Sequence, residues 1–372
     1  MITKSRRDRG FTLVELLIAI VVTLIVMTAG MMMFRKSSDA IFIVAQKAEM
    51  QSNARVAVNS IVRDLSRAGS GGMTHGGIAL PNTTAIYAPP FAGPPFNNIA
   101  NVTGNTFSQG ALYMVTPDYQ GGPTINGQTT DAITVTYLDP DLDLTQKPTT
   151  TISANGDSVT LDPSYTTLLN DPGTGVKVGD IFMLTNTKGS VAASVSGFTA
   201  GGTTLTFAAG DPLGMNDPNT SGDPGSINSL SSGGAYPAVT VFRIFMVSYY
   251  IEQLNGTGAP LAVTAAGAQD YRLMRQVNAL APVPIAEHVA SLLFSYDLSD
   301  PNPGGTNSPD AKIKIAGVDT KVYSEIRNVY VSVTTRSNRQ DRQGNYAYTT
   351  MVTNVSPRNL SFFNQFPQTS GP

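Results

Sequence analysis

The chain has 372 residues, enough to bury a sizeable core, and 41% of them are hydrophobic. Charged residues make up only 13%, about half of the usual share of ~25%, and residues 1–68 carry a formal charge of +5 whereas the remainder carries −7. The acidic remainder argues against a large nucleic-acid-binding surface, and the absence of cysteine excludes disulfides, thiolate metal sites and cysteine nucleophiles.

The first element predicted is an apolar helix that follows nine mainly basic and polar residues. From Phe11 to Phe34 the chain carries a single charge, Glu15, and Arg35-Lys36 closes the run. These 24 residues would span roughly 36 Å as a helix, enough to cross a hydrocarbon core of about 30 Å. The basic residues before the run predict that the N-terminus stays in the cytoplasm.

Three interpretations compete for this segment. A secretory signal peptide has a shorter apolar region followed by a small-x-small cleavage site, and neither feature is present. A plain signal anchor fits the length. It does not explain Glu15. A carboxylate inside a membrane costs at least about 2.5 kcal/mol, so its presence there indicates a function.

The third interpretation comes from the residues Gly10-Phe11-Thr12-Leu13-Val14-Glu15-Leu16. This segment resembles the cleavage and methylation motif of type IV prepilins and of type II secretion pseudopilins. The resemblance implies that prepilin peptidase cuts between Gly10 and Phe11 and methylates the new amine of Phe11. It also implies that Glu15 pairs with the N-terminal amine of a neighbouring subunit, since two buried opposite charges offset each other's desolvation.

The helical pattern continues beyond the apolar run. Residues 37–68 contain neither Pro nor Gly, and Gly69-Ser70-Gly71-Gly72 is a strong stop signal. The pattern therefore predicts a helix over 11–68 whose second half packs an apolar stripe on the rest of the protein. The stripe consists of Ile41, Val44, Ala45, Ala48, Val58, Ile61, Val62 and Leu65.

After residue 72 the sequence predicts a β-rich, mainly antiparallel head. Gly- and Pro-rich stretches at 69–77, 88–95 and 209–236 are typical of loops. Short β-branched and aromatic runs, several alternating with period two, predict strands. They are Leu112–Val115, Asp131–Leu138, Asp180–Leu184, Thr203–Phe207, Val239–Ile251, Leu292–Tyr296, Asn328–Thr335 and Tyr346–Val352. The segment Ile285–Leu293 is open to a second interpretation, as a short helix.

A narrower resemblance rests on four looser segments, which are similar to PilW-type minor pilins and, in part, to J-type pseudopilins. The segments are 54–69, Ile285–Asp297, Ile326–Arg336 and Val355–Leu360. The length of the chain also suits the PilW type. Residues 73–235 match no family pattern, so their expected fold rests on residue pattern alone.

Candidate chemistry is sparse. Asp139, Asp141 and Asp143 alternate as in the first part of a calcium loop, but Leu144 and Thr150 stand where such a loop needs Gly and Glu. A second oxygen-rich loop contains Asp211, Asn216, Asp217, Asn219 and Asp223, and turn-forming residues explain both loops without a metal.

His75 and His288 are the two histidines, each more simply a packed or surface residue than a base. The Gly-Thr-Gly runs at 173–175 and 256–258 are turns, and the paired aromatics Tyr249-Tyr250 and Phe362-Phe363 belong to a core or to subunit contacts.

The sequence thus predicts an α+β protein without catalytic residues, metal or cofactor. Its parts are a leader peptide (1–10), a transmembrane or filament-core helix (11–34), an amphipathic continuation (35–68) and a β-rich head (69–372). The resemblance implies a minor pilin that waits in the bacterial inner membrane with its head outside the cytoplasm and then joins a pilus or pseudopilus.

The expected partners are prepilin peptidase, other minor pilins and the major pilin, the inner-membrane assembly platform and, before assembly, membrane lipid. Nucleic acid is not expected. Two alternatives stay open: a pseudopilin of a type II secretion system, and an adhesin-like or DNA-capturing pilin whose head does the binding. An enzyme exported on a pilin stalk ranks below both.

Overall fold

The protein is seen in a computed structural model that describes residues 12–70, 77–81, 111–147, 149, 151–217, 225–255, 258–261, 270–298, 326–341 and 344–357. Within these ranges, one long helix carries a β-rich head. The α+β layout predicted from the sequence is confirmed. The predicted loop at 88–95 lies outside the described residues.

Helix α1 spans Leu13–Leu65, 53 residues or about 80 Å. Thr12 caps its N-terminus in an extended conformation, and Gly30 is its single glycine. The helix ends three residues before the predicted end at Ala68, because Ser66–Ser70 form turns. Gly69 has a φ of 70° and donates its N–H to the carbonyl of Thr136, which fastens the end of the helix to the head.

The head contains nineteen strands in the part of the chain that the structure describes. In chain order they are β1 (Ile78–Ala79), β2 (Ala111–Leu112), β3 (Val115–Asp118), β4 (Thr124–Ile125), β5 (Gln128–Thr129), β6 (Ala132–Leu138), β7 (Thr151–Ile152), β8 (Ser158–Thr160), β9 (Ile181–Asn186), β10 (Gly189–Ser194), β11 (Gly197–Phe198), β12 (Thr204–Thr206), β13 (Thr240–Leu254), β14 (Pro260–Leu261), β15 (Asp270–Val277), β16 (Val283–Glu287), β17 (Val289–Leu298), β18 (Ile326–Arg336) and β19 (Tyr348–Val355). A short helix, α2, spans Thr166–Leu169, and 3-10 turns occupy Pro163–Tyr165 and Ile227–Leu230.

The strands form four sheets, of ten, four, three and two strands. The largest has ten strands, with the path β16-β15-β13-β9-β10-β1-β2, and β3, β6 and β14 pair beside that path. A three-stranded sheet has the order β17-β18-β19, a four-stranded sheet the order β11-β12-β8-β7, and β4 and β5 form a hairpin. Among the described pairings only β1 with β10 is parallel, so the antiparallel prediction holds.

Two hydrophobic clusters lie in the head. The larger one contains residues of the C-terminal half of α1, the ten-stranded sheet and the three-stranded sheet, so the helix is part of the main core. The smaller one is formed by residues between Leu142 and Val241, mostly in the segment between β6 and β13, and is covered by the four-stranded sheet. The helix packs mainly on β16, β18 and β19.

One secondary-structure hypothesis is wrong. The segment Ile285–Leu293 is not a helix; it lies on β16 and β17. The chain changes sheets at His288, whose φ is 56°. Before that residue Ala286 pairs with Leu273 of β15, and after it Leu292 pairs with Val333 of β18. The apolar spacing resembles that of a helix because the segment contains two strands that belong to different sheets.

Candidate functional site: the N-terminal helix and its junction with the head

The start of α1 is a capping box built by Thr12 and Glu15. The Thr12 hydroxyl accepts a hydrogen bond from the Glu15 N–H at 3.3 Å. The Glu15 carboxylate in turn accepts from the Thr12 N–H and the Thr12 hydroxyl, both at 3.0 Å. The Thr-x-x-Glu spacing is a readable capping signature, and the sequence analysis missed the role of Thr12. Gly10 and Phe11, the predicted cleavage residues, lie outside the described residues.

The apolar half of α1 has no partner within the described part of the head. Its large side chains from Leu13 to Phe34 are exposed, for example Leu13 at 78% and Met33 at 77%. By length and composition this helix can cross a membrane, and none of its most apolar window is buried. A helix that is apolar all round is stable only when buried in lipid or among other apolar surfaces. This half therefore requires a membrane or other subunits around it.

The head covers α1 from a point closer to the C-terminus of the helix than the sequence predicted. The first contacts are made by Arg339, whose guanidinium lies 5.8 Å from the centre of the Phe42 ring and whose carbonyl accepts from the Gln46 amide at 3.5 Å. Full burial begins at Met50. The predicted stripe residues Ile41 and Val44 are each 68% exposed.

The prediction is wrong for Ile41 and Val44, because the described head leaves them exposed. The later stripe residues Val58, Ile61 and Leu65 are buried, and Val62 packs against them as predicted. Ile41, Ile43 and Val44 thus extend the exposed apolar surface of α1 beyond Arg35-Lys36.

A buried carboxylate fixes the second half of α1 to the head. Asp64 is 0% exposed. It accepts hydrogen bonds from the Tyr249 hydroxyl at 2.6 Å, the Arg275 Nε at 2.7 Å and the Tyr137 hydroxyl at 3.2 Å. The Ser60 carbonyl, one turn earlier, lies 2.9 Å from the same Tyr249 hydroxyl. One residue of α1 is thereby tied to β6, β13 and β15.

Electrostatics keep the three donors around Asp64 in their donating forms. Burial raises the pKa of the Tyr249 and Tyr137 hydroxyls, and the Asp64 carboxylate beside them raises both further. Burial acts to lower the pKa of Arg275, but the hydrogen bond to Asp64 and the charge interactions with Asp64, Tyr249 and Tyr137 together outweigh it, and the net pKa is raised. Both phenols therefore stay protonated as donors and the guanidinium stays charged. Asp64 was not singled out in the sequence, where it stands among solvent-facing residues of the same helix.

The acidic loop, residues 139–143, does not gather its carboxylates. Asp139 is buried and forms an ion pair with Arg243, whose Nε lies 2.6 Å from Asp139 Oδ2. Asp143 is instead hydrogen-bonded to the Thr145 N–H at 2.9 Å. No group of three potential acidic or histidine metal ligands occurs among the residues that the structure describes.

The second oxygen-rich loop is a turn around Asp211. Its carboxylate accepts from the N–H groups of Leu213, Met215 and Asn216 at 3.0–3.2 Å. Asn219 and Asp223 lie outside the described residues. Backbone capping thus accounts for Asp211, as it does for Asp171, which accepts from Gly173 and Thr174.

The remaining candidates separate into core residues and residues that are not described. Tyr249 and Tyr250 are both buried, at 0% and 1% exposure, so this pair belongs to the core. His288 is buried beside Asp270. His75, Gly256 and the Phe362-Phe363 pair lie outside the described residues.

Comparisons with known proteins agree with the geometry of the N-terminus. Residues 5–31 match the family model of the prokaryotic N-terminal methylation motif. Comparison with curated proteins and with solved structures gives no match. The matched segment contains the predicted cleavage residues, the capping box and most of the exposed apolar half of α1. The motif and the apolar helix together support a type IV pilin-like protein that is processed by prepilin peptidase and anchored in a membrane.

Proposed function

We propose that the chain is a minor pilin of the PilW type, cleaved after Gly10, that helps to prime or form the tip of a type IV pilus. The observation that carries the proposal is the methylation motif at residues 5–31, which overlaps the start of a helix whose apolar half is exposed. Such a helix is stable in the inner membrane before assembly and among other pilin helices afterwards. No catalytic role is proposed.

Glu15 supplies the assembly contact in this proposal. Its carboxylate is exposed at the start of α1, and its intramolecular partner is Thr12, a neutral residue. A carboxylate in an apolar layer is costly unless it is paired with a cation. The methylated amine that cleavage creates on Phe11 of a neighbouring subunit is such a cation. Pairing favours the one axial offset between subunits that brings the two charges together.

The PilW assignment is supported by the position of the residues that resemble that group. Three of the four segments lie on the C-terminal half of α1, on β16–β17 and on β18. They contact one another directly: β17 pairs with β18, and Ile61, Leu292 and Val331, one from each segment, lie in the main hydrophobic cluster. The resembling residues thus form one unit, the base of the head with its helix.

The test compares surface pili in cells lacking the gene with complemented cells, by the amount of major pilin sheared from the surface. Wild type is expected to restore piliation and Glu15→Ala is not. Glu49→Ala is the matched control, because Glu49 lies exposed on the same helix above the apolar half, and it should restore piliation fully. Unchanged piliation in the deletion strain would reject the minor-pilin role.

A type II secretion pseudopilin is the second candidate, favoured by the part of the resemblance shared with J-type pseudopilins. It uses the same motif and helix, so the same strains separate the two. Loss of protein secretion with normal piliation selects the pseudopilin. A DNA-capturing head is disfavoured by the charge of −7 on residues 69–372, and an adhesin-like head would be identified by direct binding of full-length protein to host surfaces.

A further inference from the structure

His288 occupies a corner at the base of the head. It stands between β16 of the ten-stranded sheet and β17 of the three-stranded sheet, with a φ of 56°. This left-handed conformation is uncommon for a residue with a side chain, and the residue is only 8% exposed. The surrounding contacts must therefore hold it there.

The His288 side chain belongs to a cluster drawn from several strands. Its Nδ1 lies 2.6 Å from Oδ2 of Asp270, the first residue of β15. The other oxygen of Asp270 lies 3.1 Å from Arg336 NH2, at the end of β18. The Arg336 guanidinium stacks over the ring of Tyr346 at 4.1 Å, and the Arg336 N–H donates to the His288 carbonyl at 2.9 Å.

The cluster lies directly against α1. Glu287, one residue before His288, accepts from Asn53 through its carbonyl. Thr335, one residue before Arg336, donates to the carbonyl of Met50. The strand ends beside His288 and Arg336 therefore also hold α1 at Met50 and Asn53.

We propose that His288 is a proton-operated clamp, which draws β15, β17 and β18 together beneath α1 when its imidazole is charged and loosens this junction when it is neutral. A carboxylate has no proton to donate, so Nδ1 carries one in either state. Uptake of the second proton at Nε2 places a full positive charge beside Asp270. The clamp is a property of the fold and does not depend on the proposed role in pilus assembly.

The charges around the imidazole favour the protonated form. Asp270 of β15 and Glu287 of β16 attract a proton, and Arg336 of β18 opposes it. The Tyr346 ring stacks on the Arg336 guanidinium. The hydrogen bond to Asp270 raises the pKa of His288 above its usual value, despite burial, which acts in the opposite direction.

The sign of the effect on stability follows from that direction. A histidine whose pKa is higher in the folded state contributes its stability fully below its unfolded pKa and loses it as pH rises through the folded pKa. The Asp270 partner has the opposite dependence. Burial raises its pKa, but hydrogen bonds from His288, Tyr271 and Arg336 lower it overall, so its contribution disappears only in strong acid. The clamp should be tightest at mildly acidic pH.

The test uses full-length protein in detergent micelles and two readouts at pH 5.5 and pH 8. The first is the histidine ring NMR titration, which contains two signals because the chain has two histidines. The second is amide hydrogen exchange at Met50, Asn53 and Thr335. His288→Gln cannot take up charge, and His75→Gln is the matched control that keeps the cluster.

Three outcomes are expected. The His288 signal titrates at a higher pH than that of a free histidine, Asp270→Asn lowers its midpoint, and exchange at the three junction amides is several-fold faster at pH 8 than at pH 5.5 after correction for intrinsic rates. His288→Gln removes this pH dependence and His75→Gln leaves it unchanged. An identical pH dependence in His288→Gln, or an unchanged midpoint in Asp270→Asn, would overturn the proposal. If His288→Gln is unfolded, the Asp270→Asn titration still decides.

Discussion

The most informative single substitution is Asp64→Ala, which removes the acceptor that ties α1 to the head. Asp64 is 0% exposed and receives three side-chain hydrogen bonds, from Tyr137, Tyr249 and Arg275. Removing one partner of a buried ion pair typically costs about 3–5 kcal/mol. The Arg275 side chain is 21% exposed and regains some hydration, whereas the two phenols are almost completely buried, so we expect a cost within that range.

The assay is thermal unfolding of the full-length protein in detergent micelles, followed by near-ultraviolet circular dichroism. With roughly 2–4 °C lost per kcal/mol in a large domain, Tm should fall by roughly 6–20 °C. Asp64→Asn keeps the shape and one acceptor oxygen, so its loss should be clearly smaller. Asp143→Ala, which removes an exposed carboxylate from a turn, is the matched control and should change Tm little. Equal shifts for Asp64→Ala and Asp143→Ala would refute the anchoring argument.

Three further predictions follow from other buried charges and from the acidic loop. Burial, with Asp131 nearby, raises the pKa of Asp118 from 3.8 to about 7, so the folded state is increasingly destabilised as pH rises from the lower value to the higher one; Asp118→Asn should therefore raise the free energy of unfolding by up to about 4 kcal/mol at pH 8 and by clearly less at pH 5, and an equal effect at both pH values would contradict this assignment. Arg243 pairs with the buried Asp139 and Asp180, so Arg243→Ala should cost about 3–5 kcal/mol in denaturant unfolding; a loss below 1 kcal/mol would count against it. Because the carboxylates of Asp139 and Asp143 are already engaged with protein groups, neither calcium nor chelator should move Tm, and a calcium-dependent rise would show a metal site.

The sequence predicted those elements whose local pattern and tertiary surroundings agree. The strand predicted over Asp131–Leu138 is β6, Ala132–Leu138, because β-branched residues there are buried on both faces. The strand predicted over Asn328–Thr335 lies within β18, whose burial alternates along its length. The N-terminal helix was equally clear, since apolar composition without Pro predicts a helix in any surroundings.

The missed elements depend on contacts between distant parts of the chain. β15 carries Arg272 and Arg275, whose charges conceal a strand pattern; each pairs with an acid far away in sequence, Glu252 and Asp64 respectively. β10 consists mostly of small residues, whose pattern does not predict a strand; the strand forms by pairing with β9.

In the candidate site, too, Thr12 follows from a local sequence pattern whereas Asp64 depends on contacts with distant residues. Thr12 is readable from the local Thr-x-x-Glu spacing. The role of Asp64 is not readable, because its donors Tyr137, Tyr249 and Arg275 are 73 to 211 residues away along the chain. The extent of helix coverage by the head was also beyond the sequence, since it depends on how far the loop at Arg339 reaches.

The central claim is that this chain is a prepilin whose leader is removed before Phe11, and the mass of the mature protein tests it most directly. Intact-mass analysis of protein from cells with an active prepilin peptidase should show a chain that begins at Phe11 and carries one added methyl group. Protein from cells without the peptidase should retain residues 1–10. An uncut chain in cells that process other prepilins would contradict the account, and the exposed apolar helix would then be a simple membrane anchor.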